Sequence, residues 1–277
     1  FQFISRSQFS AVGGHPSAVI FKGSSMFASL TNPAQRYWLI GLLILWAALL
    51  FGGFIFGGPA DAARRMPTWT RMASSATLVV AGFSWYLFTR NTGAGSYALL
   101  IAIGMTFGFL GDLGLAGLLP GGRNVIAGIS FFGIGHIFYI TAMLRFATAA
   151  GLTAPGPRWG ALAIWLLVGL AGWYIVVYRG ALSAGIELSV VHWIALPYAL
   201  LLASTAGLAT GLALQDSRFI PLALGGALFL LSDLILAGEM FSGVTFRLIG
   251  DVIWLTYGPA QMLIVYSIGS VLARFSR

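Results

Sequence analysis

The 277-residue sequence contains no cysteine. That excludes a disulfide framework and any thiolate chemistry, and it leaves no redox signal from which to read a compartment. Charge is scarce too: 8% of the residues are Asp, Glu, Lys or Arg, against roughly a quarter in soluble domains. With 58% hydrophobic residues and a mean hydropathy of +0.91, the chain reads as an integral membrane protein. Acids are rarer than bases, seven against 15, which leaves a net charge of +8. In a membrane protein such an excess sits in loops facing anionic headgroups. Nucleic-acid binding would need a basic patch on a polar domain, and there is no polar domain to carry one. Histidine is also sparse. Only His136 and His192 fall in apolar segments, and neither has the close partner that a zinc site favours. Two carboxylates with one or both of these histidines are the metal-ligand set still open. The spans contain no G-x-S-x-G nucleophile signature. Walker and Rossmann glycine patterns need a strand before a helix, whereas the 37 glycines here lie mostly in apolar segments, where they let helices approach closely.

What is present in abundance is long apolar runs. Spanning helices need about 20 apolar residues, and eight segments qualify: roughly 37–57, 70–89, 97–119, 124–147, 159–178, 188–214, 219–241 and 247–273. The breaks between them, such as Gly57-Gly58-Pro59, Pro120-Gly121-Gly122, Pro155-Gly156-Pro157 and Arg179-Gly180, are polar or rich in Gly and Pro, as turns should be. The reading is an all-α integral membrane fold, with eight transmembrane helices in one bundle over residues 37–277. Short connections make sequential helices antiparallel neighbours. Residues 1–36 form a separate polar extension with seven Ser, three basic residues and no acid. That composition resembles an organellar targeting region or its processed end, and favours a mitochondrial inner membrane over a bacterial cytoplasmic one. An even number of spans puts both termini on one side. That side carries nine Lys and Arg residues against six on the other, which places the termini in the cytosol or matrix.

Two elements repeat: GDLGLAG at 111–117 and SDLILAG at 232–238. Asp112 and Asp233 are 121 residues apart, in the third and seventh spans, so the repeat is parallel and suggests two four-helix halves. At 1.5 Å per residue, each aspartate lies about 21–22 Å into its helix, past the midplane and away from the termini. Glu239, His192 and Asp251 converge on the same half, while His136 and Gln261 lie near mid-span. A charged group at that depth costs at least ~2.5 kcal/mol and normally faces a bundle interior or a wet cavity. Asp251 and Glu239 also admit a structural reading, for example Asp251 with Arg247 at i,i+4. His192, next to Trp193, reads as an interfacial residue. Asp112 and Asp233 together point to function.

At these residues the sequence resembles the YhhN family of eight-helix membrane proteins, which includes the lysoplasmalogenases. The resemblance rests on GDLGL (111–115), GHIFY (135–139), SDLILA (232–237) and TYGPAQ (256–261), in the family's order. It departs at Arg71-Met72, where family members often carry a Lys-Pro pair, and it does not reach the first 36 residues. What it implies is hydrolysis of the vinyl ether bond of a lysoplasmalogen, with no cofactor. One acid protonates the β-carbon and a second carboxylate steers water onto the oxocarbenium ion. Asp112 and Asp233 would be that pair, with His136, Tyr257 and Gln261 orienting water or substrate. The expected partners are a plasmalogen-type lysophospholipid and the surrounding lipids. Asp112, flanked by Gly111 and Leu113 with Phe107 and Phe109 nearby, is the drier carboxyl and therefore the general acid, because burial favours a protonated carboxyl. Both acids should line one polar cavity, with His136 and Gln261 on its wall. Two other readings stay open at this point. One is a non-catalytic subunit of a larger complex in an energy-transducing membrane, with other subunits as partners; the other is a proton-coupled transporter.

Overall fold

The computed structural model describes residue 27, residues 30–59 and residues 63–276. The polar extension was expected over residues 1–36, and most of it, residues 1–26, lies outside the described residues. Among the described residues there are helices and no strands. Eight helices are long and apolar enough to cross a membrane: α1 (Pro33–Ile55), α2 (Thr68–Thr89), α3 (Gly95–Ala116), α4 (Val125–Ala149), α5 (Pro155–Ser183), α6 (Val190–Gln215), α7 (Ser217–Ser242) and α8 (Ile249–Phe275).

Their ends follow from local chemistry. Asn32 and Asn124 cap α1 and α4, their side chains accepting from Ala34 N and Ala127 N, each at 2.9 Å, which satisfies N–H groups that have no partner within the helix. Gly117 closes α3 at φ 74° and Gly243 closes α7 at φ 64°, the left-handed conformation that glycine adopts without a steric penalty. The expected turn at Arg179-Gly180 is not one. The chain passes through a π-helical stretch, Trp173–Arg179, and stays helical to Ser183. Gly180 permits this because it lies directly against the Ser242 side chain of α7, where a Cβ would overlap.

Within each half, consecutive helices pack as neighbours: α1 on α2, α2 on α3, α3 on α4, then α5 on α6, α6 on α7, α7 on α8. Across the junction the expectation of sequential neighbours fails. α4 packs on α6 rather than on α5, and the halves are joined again where α2 and α3 meet α8. α8 is the central helix, with 67% of its most apolar window buried against 28% for α1 and 22% for α5. Close approach is made by small residues. A Cβ on Gly226 of α7 would come within 2.8 Å of the Ala206 backbone of α6. At the end carrying the termini, Phe27 stacks on Trp85 and meets Tyr266 edge-on. In the α6–α7 turn Asp216 pairs with Arg218 at 2.5 Å. Burial opposes ionisation of Asp216, but the hydrogen bonds and charge of Arg218 outweigh it and hold the carboxyl below its ordinary range.

The opposite end is fastened by Asp251. It is fully buried and accepts from Arg65 N at 2.6 Å and Met66 N at 2.9 Å, while Gly250 N donates to Ala63 O at 3.0 Å. These bonds lace the α1–α2 connection onto the start of α8, beside Leu248, which holds φ 63° without being glycine. Asp251 therefore has a structural role. Removing it strands the buried N–H of Met66, at roughly 1–3 kcal/mol, and the part-buried N–H of Arg65. Asp251→Ala is expected to lower the melting temperature of the purified protein in detergent; an unchanged melting temperature would show that the lacing contributes nothing.

Candidate active site

Asp112 near the end of α3 and Asp233 in α7 line one cavity of about 390 Å³ at the end of the bundle away from the termini. Tyr257 and Trp254 of α8, Ser232 and Glu239 of α7 and Arg71 of α2 complete much of its wall. Each acid takes a hydroxyl from the helix before its own. Ser75 of α2 donates to Asp112 Oδ2 at 2.5 Å, across 37 residues of sequence. Tyr198 of α6 donates to Asp233 Oδ2, across 35. Asp112 is 5% exposed and Asp233 is half-buried, so Asp112 is the drier member.

His136 and Gln261, expected on the cavity wall, lie behind it. The Gln261 amide donates to the Tyr257 hydroxyl and sits against Gly108, where a Cβ would stand 3.0 Å from Nε2. Gln261 thus reaches the cavity through Tyr257. The His136 ring is enclosed by Phe229 at 4.5 Å, Tyr139 and Tyr198, with Nδ1 2.8 Å from Thr205 Oγ1. It touches Tyr198, the residue that holds Asp233. His192 is buried and closes a capping box with Ser189 at the start of α6. Among the described residues no three His, Asp or Glu side chains group as metal ligands.

Sequence reasoning missed Ser75 and Tyr198. For Tyr198 a signal existed: a tyrosine within a span needs a partner for its hydroxyl. For Ser75 there was none, since the adjacent Ser74 satisfies itself on Arg71 O at 2.8 Å and the two are indistinguishable in sequence.

A second, narrow slot runs between α4, α5, α6 and α7, lined by side chains such as Ile129, Trp173, Ala199, Leu230 and Met240. It is apolar almost throughout, and it shares Leu115, Asp233 and Leu236 with the polar cavity. Asp233 therefore stands where a polar chamber meets an apolar one. That arrangement suits an amphiphile whose reacting bond lies at the boundary between headgroup and chain.

The sequence profile of the YhhN family matches residues 66–268, well over half the chain. Neither a curated protein nor a solved structure matches.

The hydroxyl contacts yield a direct test. Tyr198→Phe removes the donor to Asp233 with almost no change of shape, and Ser75→Ala does the same for Asp112. Loss of a hydrogen bond to a buried charged group costs about 1.5–3 kcal/mol. Each variant should fold but unfold at lower temperature, and the pair of substitutions should be non-additive if the acids share one network. Full additivity would mean two independent sites.

Proposed function

The chain belongs to the YhhN family, and from that membership and the buried carboxylate pair we propose that it hydrolyses the vinyl ether bond of lysoplasmalogens. The observation that carries the reading is Asp233 at the meeting of the polar cavity and the apolar slot, with Asp112 in the same polar cavity. The alkenyl chain occupies the slot and the glycerophospho headgroup the cavity, which brings the vinyl ether to the two acids.

Chemically, Asp112 gives its proton to the β-carbon, the alkenyl π pair forming the new C–H bond. Positive charge then develops on the α-carbon and the ether oxygen, opposite the Asp233 carboxylate. Water attacks the α-carbon and yields its proton to Asp233. The hemiacetal collapses to a fatty aldehyde and a free glycerol hydroxyl, and a proton returns to Asp112. The acid suits its task by being buried and the base by being wetter: burial favours a neutral carboxyl, and a hydrated carboxylate can hold the attacking water. Tyr257 and Tyr198 orient the acids, while Gln261 and His136 act behind them as positioning residues. The proposed setting is a mitochondrial inner membrane with the termini on the matrix side, a reading that the distribution of lysine and arginine and the composition of the N-terminal extension support.

Incubating the purified protein with a lysoplasmalogen should release fatty aldehyde. Asp112→Asn and Asp233→Asn should each lower the rate by ~10²-fold or more, the usual contribution of a positioned acid or base, in protein that remains folded. Asp233→Glu should retain more activity than Asp112→Glu, because a shifted carboxylate at the wetter position can still act through water. No aldehyde from wild-type protein, or full activity in either Asn variant, would falsify the proposal.

A further inference from the structure

The mouth of the polar cavity carries three arginines that the carboxylate chemistry does not use. Arg64 comes from the α1–α2 connection, Arg71 from the first turn of α2, and Arg123 from the loop after α3; all three line the cavity. Each is held in place by something else. Arg64 lies over the start of α8, so close that a Cβ on Gly250 would meet its Nε, and the Asp251 lacing fixes the loop that carries it. Arg123 follows Gly121 and Gly122, both at positive φ, and its backbone lies against Gly117. Arg71 is 7% exposed. It donates from Nη2 to Thr68 Oγ1 at 2.8 Å and lies 5.3 Å over the Trp254 ring.

Three arginines lining one cavity gather like charge around it, and an anion between them would offset that repulsion. Among the described residues, no carboxylate oxygen lies within 4 Å of any of the three. The carboxylates that face the same cavity are Asp112, Asp233 and Glu239. Asp112 and Asp233 already accept from Ser75 and Tyr198. The buried Nε of Arg71 has no hydrogen-bond partner, and an unmet buried donor on a charged group is expensive. It is also the kind of donor that binds a phosphate in a bidentate fork.

We propose that Arg64, Arg71 and Arg123 form a seat for a phosphate oxyanion, the headgroup phosphate of the lysophospholipid. The assignment rests on reading this cavity as the active site. Its consequence is that selection of the substrate's polar end lies with three residues from separate connections and the first turn of α2. The phosphate anchors the glycerol, and the glycerol presents its ether to Asp112 and Asp233. Glu239, on the same wall, sets the limit of the anionic seat.

Binding separates this assignment from the chemistry. The probes are a saturated 1-O-alkyl lysophosphoethanolamine, which has no vinyl ether to hydrolyse, the matching 1-O-alkylglycerol, which lacks phosphate, and inorganic phosphate. Wild-type full-length protein should bind the phosphate-bearing lipid at least about tenfold more tightly than the alkylglycerol, roughly what one charge-assisted hydrogen bond supplies. Arg71→Gln and the exposed Arg123→Gln should each cut that ratio severalfold, while leaving alkylglycerol binding unchanged. Arg123→Gln tests the seat even if Arg71→Gln does not fold. Equal wild-type affinity for the two lipids, or an undiminished ratio in folded variants, overturns the seat even where aldehyde is released. Inorganic phosphate binding as tightly as the lysolipid overturns the headgroup assignment in favour of a free anion. Discrimination that persists without any aldehyde release supports the seat and removes the hydrolase reading alone.

Discussion

Two carboxylates set past the midplane of an apolar bundle impose the constraint from which much of this structure follows. Each would cost at least ~2.5 kcal/mol facing lipid, so each must find donors and a cavity within the protein. The fold meets that demand with a hydroxyl from the neighbouring helix: Ser75 for Asp112 and Tyr198 for Asp233. For those hydroxyls to reach, helices must approach closely, and small residues make this possible. Gly111 lies against the Phe132 ring, Gly108 against Gln261 and Gly226 against the Ala206 backbone. The glycines that look like mere apolar filler are therefore part of how the acids are housed.

The parallel repeat gains meaning at the same place. Asp112 and Asp233 are 121 residues apart, and so are His136 and Tyr257. The last helix of each half reaches the other half's acid: Tyr257 lines the cavity with Asp112, and His136 packs on Tyr198, which holds Asp233. The helix contacts that join the halves correspond in the same way, α4 with α6 and α8 with α2. The likeness is incomplete. The Leu-Ala-Gly that ends at Gly117 terminates α3, whereas its counterpart Gly238 lies inside α7, which runs on to Ser242. The two acids therefore stand in unequal surroundings: a serine hydroxyl holds Asp112 and a tyrosine hydroxyl holds Asp233.

The eight spans were legible because their signal is length and hydropathy, which neither a turn nor a partner can alter. The acids were legible because a carboxylate is conspicuous in such a setting. Legibility failed where one residue's role depends on another far away in sequence. Ser74 and Ser75 are adjacent and chemically identical, yet one bonds its own helix and the other an acid 37 residues on. Nothing in the sequence around Asp251 shows that its two oxygens accept from backbone at Arg65 and Met66, some 185 residues away. The helical break expected at Gly180 was overridden by packing against Ser242.

Arginine shows the same limitation and carries the argument one step further. In sequence, each cation between spans counts equally toward membrane orientation. In the structure several have local work. Arg65 donates to Ile55 O and Gly58 O at the end of α1, satisfying carbonyls that a helix end leaves open. Arg218 pairs with Asp216, and Arg274 donates to Ala150 O at 3.3 Å. If Arg64, Arg71 and Arg123 are spoken for by a phosphate and Arg65 by the end of α1, four of the six cations on the side away from the termini have local partners. Cations committed to a ligand or a helix end are poor reporters of topology, because their positions are set by the partner rather than by the membrane potential and anionic lipid. Weighing such cations equally with uncommitted ones therefore blurs the orientation signal that a count of lysines and arginines carries.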